Sequence, residues 1–192
     1  MSIFKDKAIV LKIDKVNSNS SGEKIKDKEL LYTLFTKTYG KIKANKTYSK
    51  TEKSVDIGYS INFEIITSEN KKIHKIKNIK IKSEFNLNKD RNFSEINKFL
   101  EILSLIYREI PEGVSFEEIF EIIETINTYE NIDLTKLILA KLKIKSLLGT
   151  LNIEHKNQII SKILKFIFNS KIETIFKLTG INEEQKKELD LI

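Results

Sequence analysis

The sequence predicts an α+β protein, a five-stranded sheet in residues 1–86 followed by an all-helical half in 87–192, and three observations carry that expectation. Apolar residues are near-continuous or spaced by two up to about residue 85, and follow a helical period beyond it. Charge divides at the same place: residues 1–88 hold 19 lysines against 10 acids, net +9, whereas 89–192 hold 15 basic and 17 acidic residues, net −2. Between the two patterns lies a polar stretch, Asn86-Leu87-Asn88-Lys89-Asp90-Arg91-Asn92, which reads as a linker.

The first strand is Ala8-Ile9-Val10-Leu11-Lys12-Ile13, a β-branched run too short for an isolated helix and apolar enough to be buried. Asn17-Ser18-Asn19-Ser20-Ser21-Gly22 then supplies turn formers, so residues 17–28 are expected to form an exposed loop. Leu30 to Thr36 gives a second strand and Tyr39-Gly40 a turn. Lys41-Ile42-Lys43-Ala44-Asn45-Lys46 alternates, which is expected to place its lysines on one face of a third strand. Ile57, Tyr59, Ile61, Phe63 and Ile65 recur at period two and define the fourth. Ile73, Ile76, Ile79 and Ile81 predict a bent or bulged fifth strand, because β-branched content and the 79/81 alternation outweigh the three-residue spacing.

In the second half, Phe93, Ile96, Leu100, Leu103 and Tyr107 are expected to form the buried stripe of a helix ending near Pro111-Glu112-Gly113. Ser115-Phe116-Glu117-Glu118 matches a capping box for the next helix, with Phe116, Ile119, Phe120, Ile123 and Ile126 as its core face. Asp133 is placed to cap a third helix running through Leu147 and stopped at Gly149. Further helices are expected at 155–169, 171–178 and 182–190.

The sequence offers little for catalysis, so no enzymatic activity is expected. There is no cysteine, which removes disulfides, thiolate zinc sites and cysteine nucleophiles. His74 and His155 fall in different halves, neither spaced with acids as in a metal-binding motif, and no cofactor is expected. The six glycines assemble no phosphate loop of either common pattern. Glu117/Glu118 and Glu183/Glu184 sit at helix starts, where free amides and the helix dipole stabilise carboxylates without any acid–base role. Met1 to Lys7 lacks the pattern of a signal peptide, and charges interrupt every apolar stretch before 18 residues, so a soluble cytoplasmic protein is expected.

What remains concentrated is the segment from Thr36 to Lys53, with six lysines and one acid in eighteen positions. Lys37, Lys41, Lys43, Lys46, Lys50 and Lys53 are the candidate phosphate contacts, since several cations along one surface neutralise a nucleic-acid backbone and release counterions. Tyr48 is the candidate ring for stacking a base. The same lysines would equally make a solvated hairpin face in a lysine-rich protein.

Lys7-Ala8-Ile9-Val10-Leu11-Lys12 followed by Gly22-Glu23, and then Leu30-Leu31-Tyr32-Thr33-Leu34-Phe35-Thr36-Lys37-Thr38-Tyr39-Gly40-Lys41, resemble the opening of the RecO family of recombination mediators. Lys46-Thr47-Tyr48-Ser49-Lys50 and Lys53-Ser54 stand where that family carries a basic hairpin and a Lys-Ser pair, without its glycine and arginines. Leu134 to Gly149, and Phe168 to Leu178 with Thr179-Gly180, are similar to its later helices, and the four-cysteine zinc module of many members is absent. The resemblance implies an OB-fold barrel in 1–86 that binds single- and double-stranded DNA, and a helical domain in 87–192. It implies a protein that anneals strands and helps load recombinase on DNA coated by single-strand-binding protein. Its expected partners are RecR and the C-terminal tail of that coating protein, and its expected location is the nucleoid. Two other readings stay open: an adaptor whose helical half docks a partner tail, and a diverged member that has lost DNA binding.

Overall fold

The computed structural model describes all residues except 1, 16–27, 50–51, 68–72 and 86–91. The expected loop at 17–28, Gly22-Glu23, Lys50, and the expected boundary at 86/87 therefore lie wholly or almost wholly outside the described residues. The chain is α+β, with strands β1 (Ser2–Lys15), β2 (Lys28–Thr36), β3 (Gly40–Tyr48), β4 (Ser60–Thr67) and β5 (Ile73–Ser83). Helices α1 (Phe93–Glu109), α2 (Glu117–Thr128), α3 (Leu134–Leu147), α4 (Gln158–Asn169), α5 (Ile172–Ile175) and α6 (Glu183–Leu191) follow. Among the described residues no helix is long and apolar enough to cross a membrane.

The sheet is mixed. β1 pairs antiparallel with β2 and with β4, β2 with β3, and β4 with β5, while β3 and β5 run parallel through Lys43–Asn45 and Ile73–Lys75. Because β1 bonds to both β2 and β4, the order β1-β2-β3-β5-β4 closes on itself. β5 is irregular, as its sequence predicts: its register against β4 slips between Asn62 and Glu64, and Asn78 takes a left-handed φ of 53°.

The unbroken apolar run of β1 has a direct explanation, since both of its faces are covered. Ala8 and Val10 point into the sheet's enclosed interior with Leu34, Ile61, Phe63 and Ile65. Ile9 and Leu11 point outward, and with Phe35 and Phe85 they join the core of the helices. Burying an aliphatic side chain of this size contributes roughly 1.5–3 kcal/mol, so the outward pair ties the sheet firmly to the helices. Phe35 meets Phe120 of α2 at 6.0 Å between ring centroids, and Phe85 stacks on Phe99 of α1 at 4.1 Å.

Two glycines allow the halves to approach. Gly40 (φ +69°) would place a Cβ 2.1 Å from the Val114 carbonyl oxygen, and Gly58 (φ +86°) would place one 2.6 Å from the Phe99 ring. Only glycine combines a left-handed backbone with that absence of volume.

Three helical expectations change. In α1 the buried set is Lys98, Phe99, Ile102, Leu103, Leu105 and Ile106. Phe93, Leu100 and Tyr107, expected inside, are exposed by 77%, 44% and 38%. Leu103 of the expected stripe is in the core and Ile96 packs against it, so the buried face is the expected one turned toward Phe99, Ile102 and Ile106. At α2 the capping box does not form: the N-cap is Phe116, and Ser115 instead donates its hydroxyl to the Lys37 carbonyl oxygen at 2.8 Å. That tether to the sheet has replaced the cap. Of the last three helices, α4 and α5 are shorter than expected, α5 being a single turn, while α6 matches its expected length within one residue at each end. α3 is as expected, with the Asp133 carboxylate accepting from the Lys136 amide at 2.8 Å and Gly149 at φ +71° after its end.

Candidate nucleic-acid interface

The β2–β3 hairpin is built as expected, with Thr36 opposite Gly40 across a tight turn, but its cations are largely engaged. Lys37 lies in that turn, its ammonium 2.8 Å from Glu117 and 3.7 Å from Glu121 of α2. The Glu117 hydrogen bond and charge hold the Lys37 ammonium above its ordinary range. Lys41 is only 8% exposed and donates to the Tyr107 carbonyl oxygen at 2.6 Å. Burial pushes its ammonium below the usual lysine range, against the raising effect of Glu112. Lys43 pairs with Glu112 at 2.7 Å and keeps a partly exposed side chain.

Lys46 and Tyr48 require a correction. Strand alternation puts Ile42, Ala44, Lys46 and Tyr48 on one face and Lys41 and Lys43 on the other, so the lysines do not share a face. Lys46 is 8% exposed, its ammonium 2.6 Å from Glu52 and 4.6 Å from the centroid of the Tyr48 ring. Tyr48 is 2% exposed and its hydroxyl accepts from Tyr32 at 2.7 Å in the sheet interior. Its ring is core and presents no face to a base. Lys53 is exposed, and Lys50 lies outside the described residues.

A different group of cations lies together on the outer face of β1, β4 and β5. Lys5, Lys7, Lys37, Asn62, Asn78 and Lys80 line an open depression of about 840 Å³. Strand register makes it: Lys7, Asn62 and Lys80 form one row across the three strands, and Lys5, Glu64 and Lys77 the next. Period-two spacing places Lys5 and Lys7 on the face of Ile9 and Leu11, so that alternation was a signal for them. Where the helices stop covering this face, the apolar residues give way to lysines.

Both acids at the depression are engaged. Asp6 accepts from the Lys7 amide at 2.8 Å and from the Thr38 hydroxyl at 3.0 Å, and Glu64 accepts from Asn78 at 2.9 Å. The ammoniums of Lys5, Lys7 and Lys80 meet no carboxylate within ion-pair distance among the described residues. Among those residues, too, no group of three His, Asp or Glu side chains is gathered as a metal site. His74 is half-buried, its Nδ1 without a hydrogen-bond partner among them, and His155 accepts from the Asn157 amide at 3.2 Å.

No protein-family model matches the chain, and no curated protein matches it. The likeness to RecO therefore rests on the motifs quoted above.

Proposed function

We propose that the chain is a non-enzymatic DNA-binding protein of the RecO kind, in which an OB-type barrel holds strands by their phosphates and base pairing supplies the matching. The observation that carries this reading is the strand order β1-β2-β3-β5-β4, closed through β1 with β3 and β5 parallel, in the half that holds the chain's excess of positive charge. A partly open five-stranded barrel is a common oligonucleotide-binding scaffold. A basic surface lowers the repulsion between two strands, and lysines as point charges favour backbone contact over base readout. Its partners on this reading are single- and double-stranded DNA, RecR and the tail of single-strand-binding protein, at the nucleoid.

The test is annealing of two complementary labelled oligonucleotides followed by energy transfer. The reading predicts acceleration by the protein that fades as salt rises. Rates equal to those of the free strands at every salt concentration would remove it.

One feature favours the adaptor reading as a second. α4 leaves Ile159 (53%) and Phe166 (37%) exposed on one face, with Lys162 and Lys165 beside them. An apolar strip edged by lysines suits an acidic, apolar-ended peptide. Binding at α4 would respond weakly to salt and would be indifferent to the lysines of the sheet.

A further inference from the structure

We infer that the depression across β1, β4 and β5, rather than the β2–β3 hairpin, is the phosphate track of this protein. The inference rests on the DNA-binding reading and assigns its surface.

Free cations decide the location. A phosphate backbone gains most from ammoniums that have no carboxylate to give up, because an ion pair must be broken before an engaged one can contribute. On the hairpin, Lys37, Lys43 and Lys46 are each paired with a glutamate, and Lys41 is spent on a carbonyl oxygen. In the depression Lys5, Lys7 and Lys80 meet no carboxylate among the described residues, while Asp6 and Glu64 are already occupied by donors. Rows two residues apart on a strand lie about 7 Å from each other, and adjacent strands about 4.8 Å, so the cations form a compact grid rather than a scatter. The Asn62 and Asn78 amides lie within it.

The acids of α2 act as competitors. Glu117 and Glu121 hold the Lys37 ammonium, and both are more than half exposed. A strand entering the depression displaces them from Lys37, so they limit affinity and set its salt response.

The experiment is fluorescence anisotropy of a labelled oligothymidylate and of a duplex over a salt series. It compares the full chain with three variants: Lys5→Ala/Lys7→Ala/Lys80→Ala, Lys43→Ala/Lys53→Ala, and Glu117→Gln/Glu121→Gln. Thermal melts confirm that each is folded. The inference predicts that the first variant flattens the log–log salt slope by about 2, at roughly 0.7 per lost single-strand phosphate contact. It predicts little change in the second and tighter binding in the third. If the wild type binds but the first variant keeps its slope, or the second loses it, the track lies elsewhere while DNA binding stands. No binding by the wild type at low salt overturns the DNA-binding reading, and this inference with it.

Discussion

The Lys41 ammonium ends on the Tyr107 carbonyl oxygen, 2.6 Å away, and stands 5.3 Å from the centroid of the same residue's ring. A lysine from the most basic segment of the sequence thus closes the last turn of α1, where carbonyl groups lack helical partners. Lys41→Ala is therefore expected to cost about 1.5–3 kcal/mol of stability, the range for hydrogen bonds to charged groups, and to leave DNA affinity nearly unchanged. Urea denaturation and anisotropy on the same variant check both halves of that statement.

Two glycines separate backbone strain from collision. Gly113 has φ +78° with nothing within 4 Å of the place a Cβ would take, so Gly113→Ala should cost only about 1–2 kcal/mol for left-handed backbone. Gly40→Ala carries the same strain plus a 2.1 Å clash with the Val114 carbonyl oxygen, and should be markedly worse. Thermal midpoints of the two proteins give the comparison.

Phe35 and Phe120 couple the sheet to the helices. Each single change to alanine is expected to cost about 3–5 kcal/mol. A double-mutant cycle should return an interaction energy on the order of 0.5–1.5 kcal/mol, as for other aromatic pairs. Additive losses would mean that the two halves do not share this contact in solution.

Two pH ranges follow from buried groups. Burial raises the Tyr32 phenol far above 10.0, helped by its bond to Tyr48, and burial also raises Tyr48. The unfolded phenols release protons near 10.0, so their contribution to stability is complete below that pH and declines as pH climbs past it. Ultraviolet difference absorbance should show these two of the six tyrosines ionising only with unfolding.

At the acid end, burial would raise the Glu101 carboxyl, yet the hydrogen bonds and charges of Lys98 and Lys141 together hold it below 4.5. Lys98 also binds Asp190 of α6. The stability from Glu101 is present above 4.5 and lost as pH falls through its lower folded value. Lys98→Met should weaken that acid dependence in thermal melts taken across the range.

Much of the fold was legible because its signals are local. Ile61, Phe63 and Ile65 alternate because one face of β4 is interior, and Asp133 caps α3 through its own side chain. The run Ala8–Ile13 marked β1 as a buried strand, without showing what covers it. What covers a face is decided at long range, and there local reading failed. Phe93, Leu100 and Tyr107 make as good a stripe as the one α1 uses, and only the sheet's position selects between them. Lysine density in 36–53 marked a basic segment, but not that Glu112, Glu117 and Glu121 would arrive from the helices to meet it. For Lys46 and Tyr48 the alternation itself held the answer, since even positions in β3 face inward with Ile42 and Ala44.

The measurement that bears most directly on DNA binding is the affinity of the wild-type chain for a labelled single strand as salt is raised. Binding through the lysines of the sheet predicts a straight log–log fall in affinity with a slope of magnitude about 2 or more, reflecting three or more phosphates neutralised. Affinity that does not change with salt, or no binding at the lowest salt, would contradict it.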